Sequence, residues 1–210
     1  MLYIRYLKLH IMNLIERVKN ILITPKTEWE VINAEPATPM QVLTGYVIPL
    51  AIVASLGSVL QYYLFSGGIF YGLTFIIAMA VVAFVATIAA FYLTTFIVDM
   101  LAPSFESEKD INKSAQLVAY SSTPSYIGSL LSFIPVVGLI ISLAGWAYSI
   151  YLMYLGIGPI KKTPEDKKIV YMIIAFVIML AIYFLLAAIL GAIVVVALGG
   201  VAGFSNSIIR

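Results

Sequence analysis

The chain has 210 residues, of which 62% are hydrophobic and 10% charged, and its mean hydropathy is +1.06; soluble domains run at roughly 45–50% apolar and about 25% charged. This composition excludes an ordinary water-soluble domain and describes an integral membrane protein. A net charge of +2 is no footprint for nucleic acid, and the absence of cysteine removes disulfides, thiolate metal sites and cysteine nucleophiles together.

The charges partition the chain. The 12 Lys/Arg and 10 Asp/Glu residues lie in the first 35 positions, at 99–113 and at 161–168, with only Arg210 elsewhere. Arg5, Lys8, Arg17 and Lys19 interrupt every candidate hydrophobic leader, so no cleavable signal peptide is expected. Leu7, Ile11, Leu14, Ile15, Val18, Ile21 and Leu22 instead follow the rhythm of one helical face, with Asn13, Glu16 and Asn20 opposite. Such a helix lies in the inner interface with its cations toward anionic headgroups, or docks by the same face on a bundle. In "TPKTEWEVINAEP", Thr24 before Pro25 is a helix start, and Thr27 with Glu30 has capping-box spacing. Trp29 and Ile32 share the face expected to reach the membrane interface as an anchor, or alternatively to contact a partner. Residues 1–41 thus read as an amphipathic interfacial segment, and residues 42–210 as the membrane domain.

Five stretches carry the roughly 20 apolar residues needed to cross a bilayer: Val42–Phe65, Ile69–Val98, Ala115–Phe133, Val136–Ile157 and Ile169–Ala202. With the N-terminus inside the cell, 11 of the 12 Lys/Arg residues fall on the inner side and only Arg210 outside, which predicts an inward N-terminus and an outward C-terminus. The expected fold is an all-α integral membrane bundle of five transmembrane helices. The outer turns, near Gly67–Gly68 and Ile134–Pro135, are short and uncharged. Asp99 is the one acid near a span, and its place beside the charged 106–113 loop reads as interfacial. "GIGP" at 156–159 reads as the end of a span. The "KKTPEDKK" loop follows the positive-inside bias, with anionic lipid at the inner leaflet as the further reading.

Residues 120–126, "YSSTPSY", bear hydroxyls in the third predicted span. Ser121, Ser125, Gly128 and Ser132 fall on one helical stripe, and Gly138, Ser142, Gly145, Ser149 and Gly156 form a second in the fourth span. Helices in lipid associate through close backbone approach at small residues and through interhelical hydroxyl bonds, so the stripes predict an antiparallel seam. Pro124 removes one backbone donor and frees the Tyr120 carbonyl for a hydroxyl or water. The alternative reading is a polar site at Tyr120, Ser121, Pro124 and Ser125.

With His10 the only histidine, no histidine metal cluster or histidine triad can be assembled. No catalytic residue, metal site or cofactor is expected.

Taken together, Pro25-x-x-x-Trp29-x-x-Ile32-x-x-Glu35, five spans, and Tyr120-Ser121-x-x-Pro124 before a Gly/Ser-rich hairpin resemble the prokaryotic branch of the Yip family, the Ypt/Rab-GTPase-interacting membrane proteins. The resemblance starts near Met12, which looks like a start for this branch. It implies a multi-pass protein of the cell membrane, five spans with the N-terminus cytoplasmic, and an organising or assembly role toward unknown membrane-protein partners. The Asp-Leu-Tyr-Gly-Pro element of eukaryotic relatives has no match in "AEPATPM", so GTPase binding does not carry over. A non-enzymatic scaffold or adaptor is expected, with a small-solute or lipid transporter or channel using the kink in the third span as the alternative.

Overall fold

The computed structural model describes residues 14–65, 68–134 and 136–208. Leu7 and Ile11 of the expected amphipathic face, His10, Gly67 and Pro135 of the turns, and Arg210 lie outside them. Every regular element among the described residues is helical: α1 (14–23), α2 (Pro25–Ala34), α3 (Pro39–Val42), α4 (Ile48–Phe65), α5 (Gly68–Leu101), α6 (Ile111–Ser121), α7 (Thr123–Leu130), α8 (Val137–Lys161) and α9 (Glu165–Ile208).

Among the described residues, four helical stretches are long and apolar enough to cross a membrane: Pro39–Gln61, Ile76–Phe105, Val137–Lys161 and Glu165–Ile193. The first begins three residues before the expected Val42. Thr38 and Gln41 form a capping box there, the side chain of each meeting the backbone N–H of the other. Eight residues after Gln41, Pro49 supplies no N–H to the ladder, and the backbone slips into a π-helical turn over Leu43–Val47, between α3 and α4.

The third expected span is the main departure. Ala115–Phe133 is kinked rather than continuous: α6 stops at Ser121, Ser122 sits near the bridge region, and α7 restarts at Thr123 with Pro124 in its first turn. Pro124 has no N–H for the Tyr120 carbonyl, and the Thr123 hydroxyl takes that acceptor at 2.7 Å. The Ser121 and Ser122 hydroxyls both turn back to the Val118 carbonyl, at 3.2 and 2.7 Å. The fourth span is longer than expected. "GIGP" does not end it; α8 runs through Pro159 to Lys161, and Lys162, at φ 52°, makes the left-handed stop.

In the bundle α4 packs on α5 and α7, α8 on α6 and α7, and α5 on α6 and α9, with α2 laid across α8. The core sits at the charged end. Ile21, Trp29, Ile32, Val47, Val98, Leu117, Leu152 and Tyr171 are fully buried there in one cluster, while α5 and α9 extend from it with most of their described apolar side chains exposed or half-buried. A surface this apolar is a lipid-facing surface.

Candidate functional site

Three groups of side chains converge on α8. The first is the small-residue seam. A Cβ placed on Gly145 would lie 2.5 Å from the Pro124 carbonyl oxygen, one on Gly138 2.6 Å from the Leu131 carbonyl oxygen, and one on Gly128 3.0 Å from the Ser142 Cα. Backbone meets backbone along α7 and α8, in antiparallel register. Hydroxyls close the same line: Ser142 donates to the Gly128 carbonyl at 3.0 Å, and Ser125 and Ser149 share a bond at 2.8 Å. Ser132 contributes its carbonyl near Gly138, whereas Ser121, across the kink, bonds within its own helix. Gly156 leaves the seam: its face meets the Trp29 ring and Leu117. Gly57 of α4 abuts the Ser129 and Leu130 carbonyls from the other side, a close approach that the sequence reading of α7 and α8 did not single out.

The second group seats α1 and α2. Ile21 is buried and Leu14, Val18 and Leu22 pack against the core, so the amphipathic face docks on the bundle. Trp29 and Ile32, expected at the membrane interface or on a partner, are both 0% exposed. The physical reason is the Gly156 gap, which admits the indole against α8, with Tyr120 edge-on at 6.4 Å. Thr24 does not cap α2; its hydroxyl bonds back to the Asn20 carbonyl at 3.2 Å. At the C-terminus of α2, where the last carbonyls run short of intrahelical donors, α6 supplies side-chain donors: Gln116 Nε2 donates to the Glu35 carbonyl at 2.9 Å and, beside the Glu35 backbone N–H, to the Ile32 carbonyl at 3.4 Å, and Lys113 Nζ donates to the Asn33 carbonyl at 2.5 Å. The Tyr148 hydroxyl donates to the Leu22 carbonyl at 2.7 Å.

Arg17 ties these two helices together. It bonds Glu28 and both carboxylate oxygens of Glu35, and its guanidinium lies over the Tyr120 ring at 5.6 Å. Burial works against its charge, but the bond to Glu35 and the charges of Glu35 and Glu28 outweigh it and hold its pKa above the ordinary value.

The third group is a buried ion pair. Asp99 is 7% exposed, and its partner Lys161 is 0% exposed. Lys161 Nζ donates to Asp99 Oδ1 at 3.1 Å, to the Ser114 hydroxyl at 2.7 Å and to the Asp110 carbonyl at 3.2 Å, clamping α8 to α5 and α6. Around it Ser107 and Thr163 share a hydroxyl bond at 2.9 Å, and Lys162–Glu108 and Lys167–Glu106 join the two charged loops. Nothing local in "KKTPEDKK" separates the buried Lys161 from its exposed neighbour Lys162. Gln116 had a signal, as a lone amide in the apolar run "AQLVAY".

Tyr46, from the π-helical turn, bonds the Thr123 hydroxyl at 2.7 Å and packs edge-on against Tyr120 at 4.6 Å. Four hydroxyls of "YSSTPSY" are therefore engaged inside the protein: those of Ser121, Ser122, Thr123 and Ser125. Among the described residues, no group of three His, Asp or Glu side chains is placed to hold a metal.

Apolar spans around a buried polar core and a glycine–serine seam define a multi-pass, all-helical membrane protein. Comparison with protein families gives the narrower assignment. The family model described as the Yip1 domain matches residues 19–189, most of the chain, and the protein belongs to the Yip family. No curated protein and no solved structure matches it.

Proposed function

We propose that this protein is a non-enzymatic scaffold or adaptor of the cell membrane, organising or assisting the assembly of other membrane components. The observation that carries the reading is the use of the hydroxyls at the kink. Ser121, Ser122, Thr123 and Ser125 spend them on the protein's own carbonyls and on Tyr46 and Ser149, which suits a packed joint better than a solute path. The transporter or channel reading would need these groups to line a wet passage.

The proposed topology is five crossings with the N-terminus inside and the C-terminus outside. Residues 111–133, kink included, cover on the order of 35 Å at about 1.5 Å per residue, enough to cross the roughly 30 Å hydrocarbon layer beside α8. The lysine and arginine bias supports the orientation, with 11 of 12 on the proposed inner side.

The test is purification from native membranes in a mild detergent, with mass spectrometry of proteins and lipids. A membrane protein recovered in constant ratio supports the scaffold. A protein recovered alone, which passes solute when reconstituted in liposomes and loses that flux on Ser121→Ala or Ser125→Ala, would replace it with the transporter.

A further inference from the structure

The pair α1–α2 does not lie flat on the end of the bundle; it stands along α8, and three contacts set its register. The end of α2 is level with the start of α6, where Lys113 and Gln116 meet the Asn33 and Glu35 carbonyls. Trp29, midway along α2, meets Gly156, and Leu22, in the last turn of α1, meets Tyr148. Along α8, Tyr148 is thirteen residues, about 20 Å, from Lys161 and its partner Asp99.

The face that α1–α2 turns away from the bundle carries charge over this whole length. Glu16, Lys19, Lys26 and Glu30 are exposed, with Ile15 and Ile23 exposed among them. Lys26 stands at the start of α2, beside the Leu22–Tyr148 contact, too far from the level of Asp99 for its stem to snorkel back. Each such charge would be expensive in hydrocarbon. Charges with single apolar side chains between them suit the headgroup region, where ammonium groups meet phosphates and the apolar side chains meet the first chain carbons.

The face formed by α5 and α9 has the opposite chemistry. The Tyr171 hydroxyl donates to the Val98 carbonyl, which sets Ile169 and Ile173 near the level of Asp99. These two, Phe96 and Met100 are each 52–59% exposed. Acyl chains must therefore cover this face down to the ion pair, whereas beside α1–α2 they can begin only near Tyr148. The lengths agree: α5 has 34 residues and α9 has 44, about 50 and 65 Å, and helices so much longer than a layer of roughly 30 Å tilt.

We infer that the bundle sits tilted in the membrane and that the outward face of α1–α2 is a seat for phospholipid headgroups of the inner leaflet, which follow it as far as Tyr148 while acyl chains cover Phe96 and Met100. With two exposed cations and two exposed anions among its charges, the seat takes zwitterionic headgroups and requires no anionic lipid. It rests on the proposed orientation only in naming the leaflet.

The chain has no cysteine, so Ile23→Cys, Lys26→Cys, Phe96→Cys and Ile173→Cys can each carry one spin label. All four positions are exposed, and two on each face guard against a variant that fails to fold. The full chain is placed in phosphatidylcholine nanodiscs containing a small share of lipid with a nickel chelate on its headgroup. Headgroup nickel should relax the α1–α2 labels more strongly than the α5–α9 labels, and oxygen, which concentrates among acyl chains, should do the reverse. The α1–α2 labels reading deeper than the α5–α9 labels would mean a flat surface level with the ion pair and would overturn the tilt. A response of the α1–α2 labels to a nickel chelate free in water, but none to headgroup nickel, would show these helices standing clear of lipid and overturn the seat. Added phosphatidylglycerol should leave the α1–α2 labels unchanged; a rise in their relaxation would overturn the zwitterionic assignment. Nanodiscs present the same lipid on both faces, so these readings do not depend on orientation, and reversed thiol labelling in cells would change the leaflet and not the seat.

Discussion

Adding one methyl group at Gly145 measures how closely α7 and α8 approach. A Cβ there would stand 2.5 Å from the Pro124 carbonyl oxygen and 3.1 Å from its carbon. Both are backbone atoms at the restart of α7, unable to swing aside as a side-chain end would. Ordinary contact requires about 3.4 Å or more, so the helices must part by the better part of an ångström, and the Ser142–Gly128 and Ser125–Ser149 bonds along the same line stretch with them. Overpacking of this kind costs about 1–3 kcal/mol, which at about 2–4 °C per kcal/mol for a chain of this length lowers the melting temperature by about 2–12 °C. Gly191→Ala is the matched control, because nothing lies within 4 Å of its Cβ position; helix propensity there favours alanine by up to about 1 kcal/mol. Both variants are purified in the same detergent and followed by thermal unfolding on a size-exclusion column. Gly145→Ala melting at the unaltered temperature, with Gly191→Ala no better, would refute the argument that backbone contact holds the hairpin.

At Ser142 and Ser125 the same logic separates bulk from bonding: Ala should cost about 0.6 kcal/mol and at most roughly 2, whereas Leu should wedge the helices and cost more, read as melting temperature. Breaking the buried pair by Lys161→Met or Asp99→Asn alone should destabilise by about 3–5 kcal/mol, and the double variant should recover much of that loss; additive losses in the double-mutant cycle would show that the two charges are not coupled. Cysteines placed singly at the exposed Ser104 and Glu165 should resist an impermeant thiol reagent in intact cells, and one at Ser207 should react; the opposite pattern reverses the proposed orientation.

The membrane class, the helical content and the family were legible because they rest on sums over many residues. Twenty-odd apolar residues commit a segment to lipid whatever its neighbours do, since a backbone in hydrocarbon must satisfy its own hydrogen bonds. The Gly128, Gly138, Ser142 and Gly145 stripes were legible for a related reason: helical periodicity places them on one face before any contact is known. Pro124 marked the kink, and its freed Tyr120 carbonyl is met by the adjacent Thr123. Pairings between distant segments had no such local trace. Trp29 has the chemistry of an interfacial anchor, and it is buried because Gly156, far along the chain, leaves room for its ring. Asp99 has the sequence context of a surface group, and it is buried because α8 continues through Pro159 and carries the Lys161 ammonium to it. Lys161 and Lys162 are alike in sequence and opposite in fate, one enclosed and one 71% exposed. Which of two adjacent lysines points inward depends on the helical phase at which α8 ends, and that phase is set by packing among α5, α6 and α8 rather than by any property of the two residues.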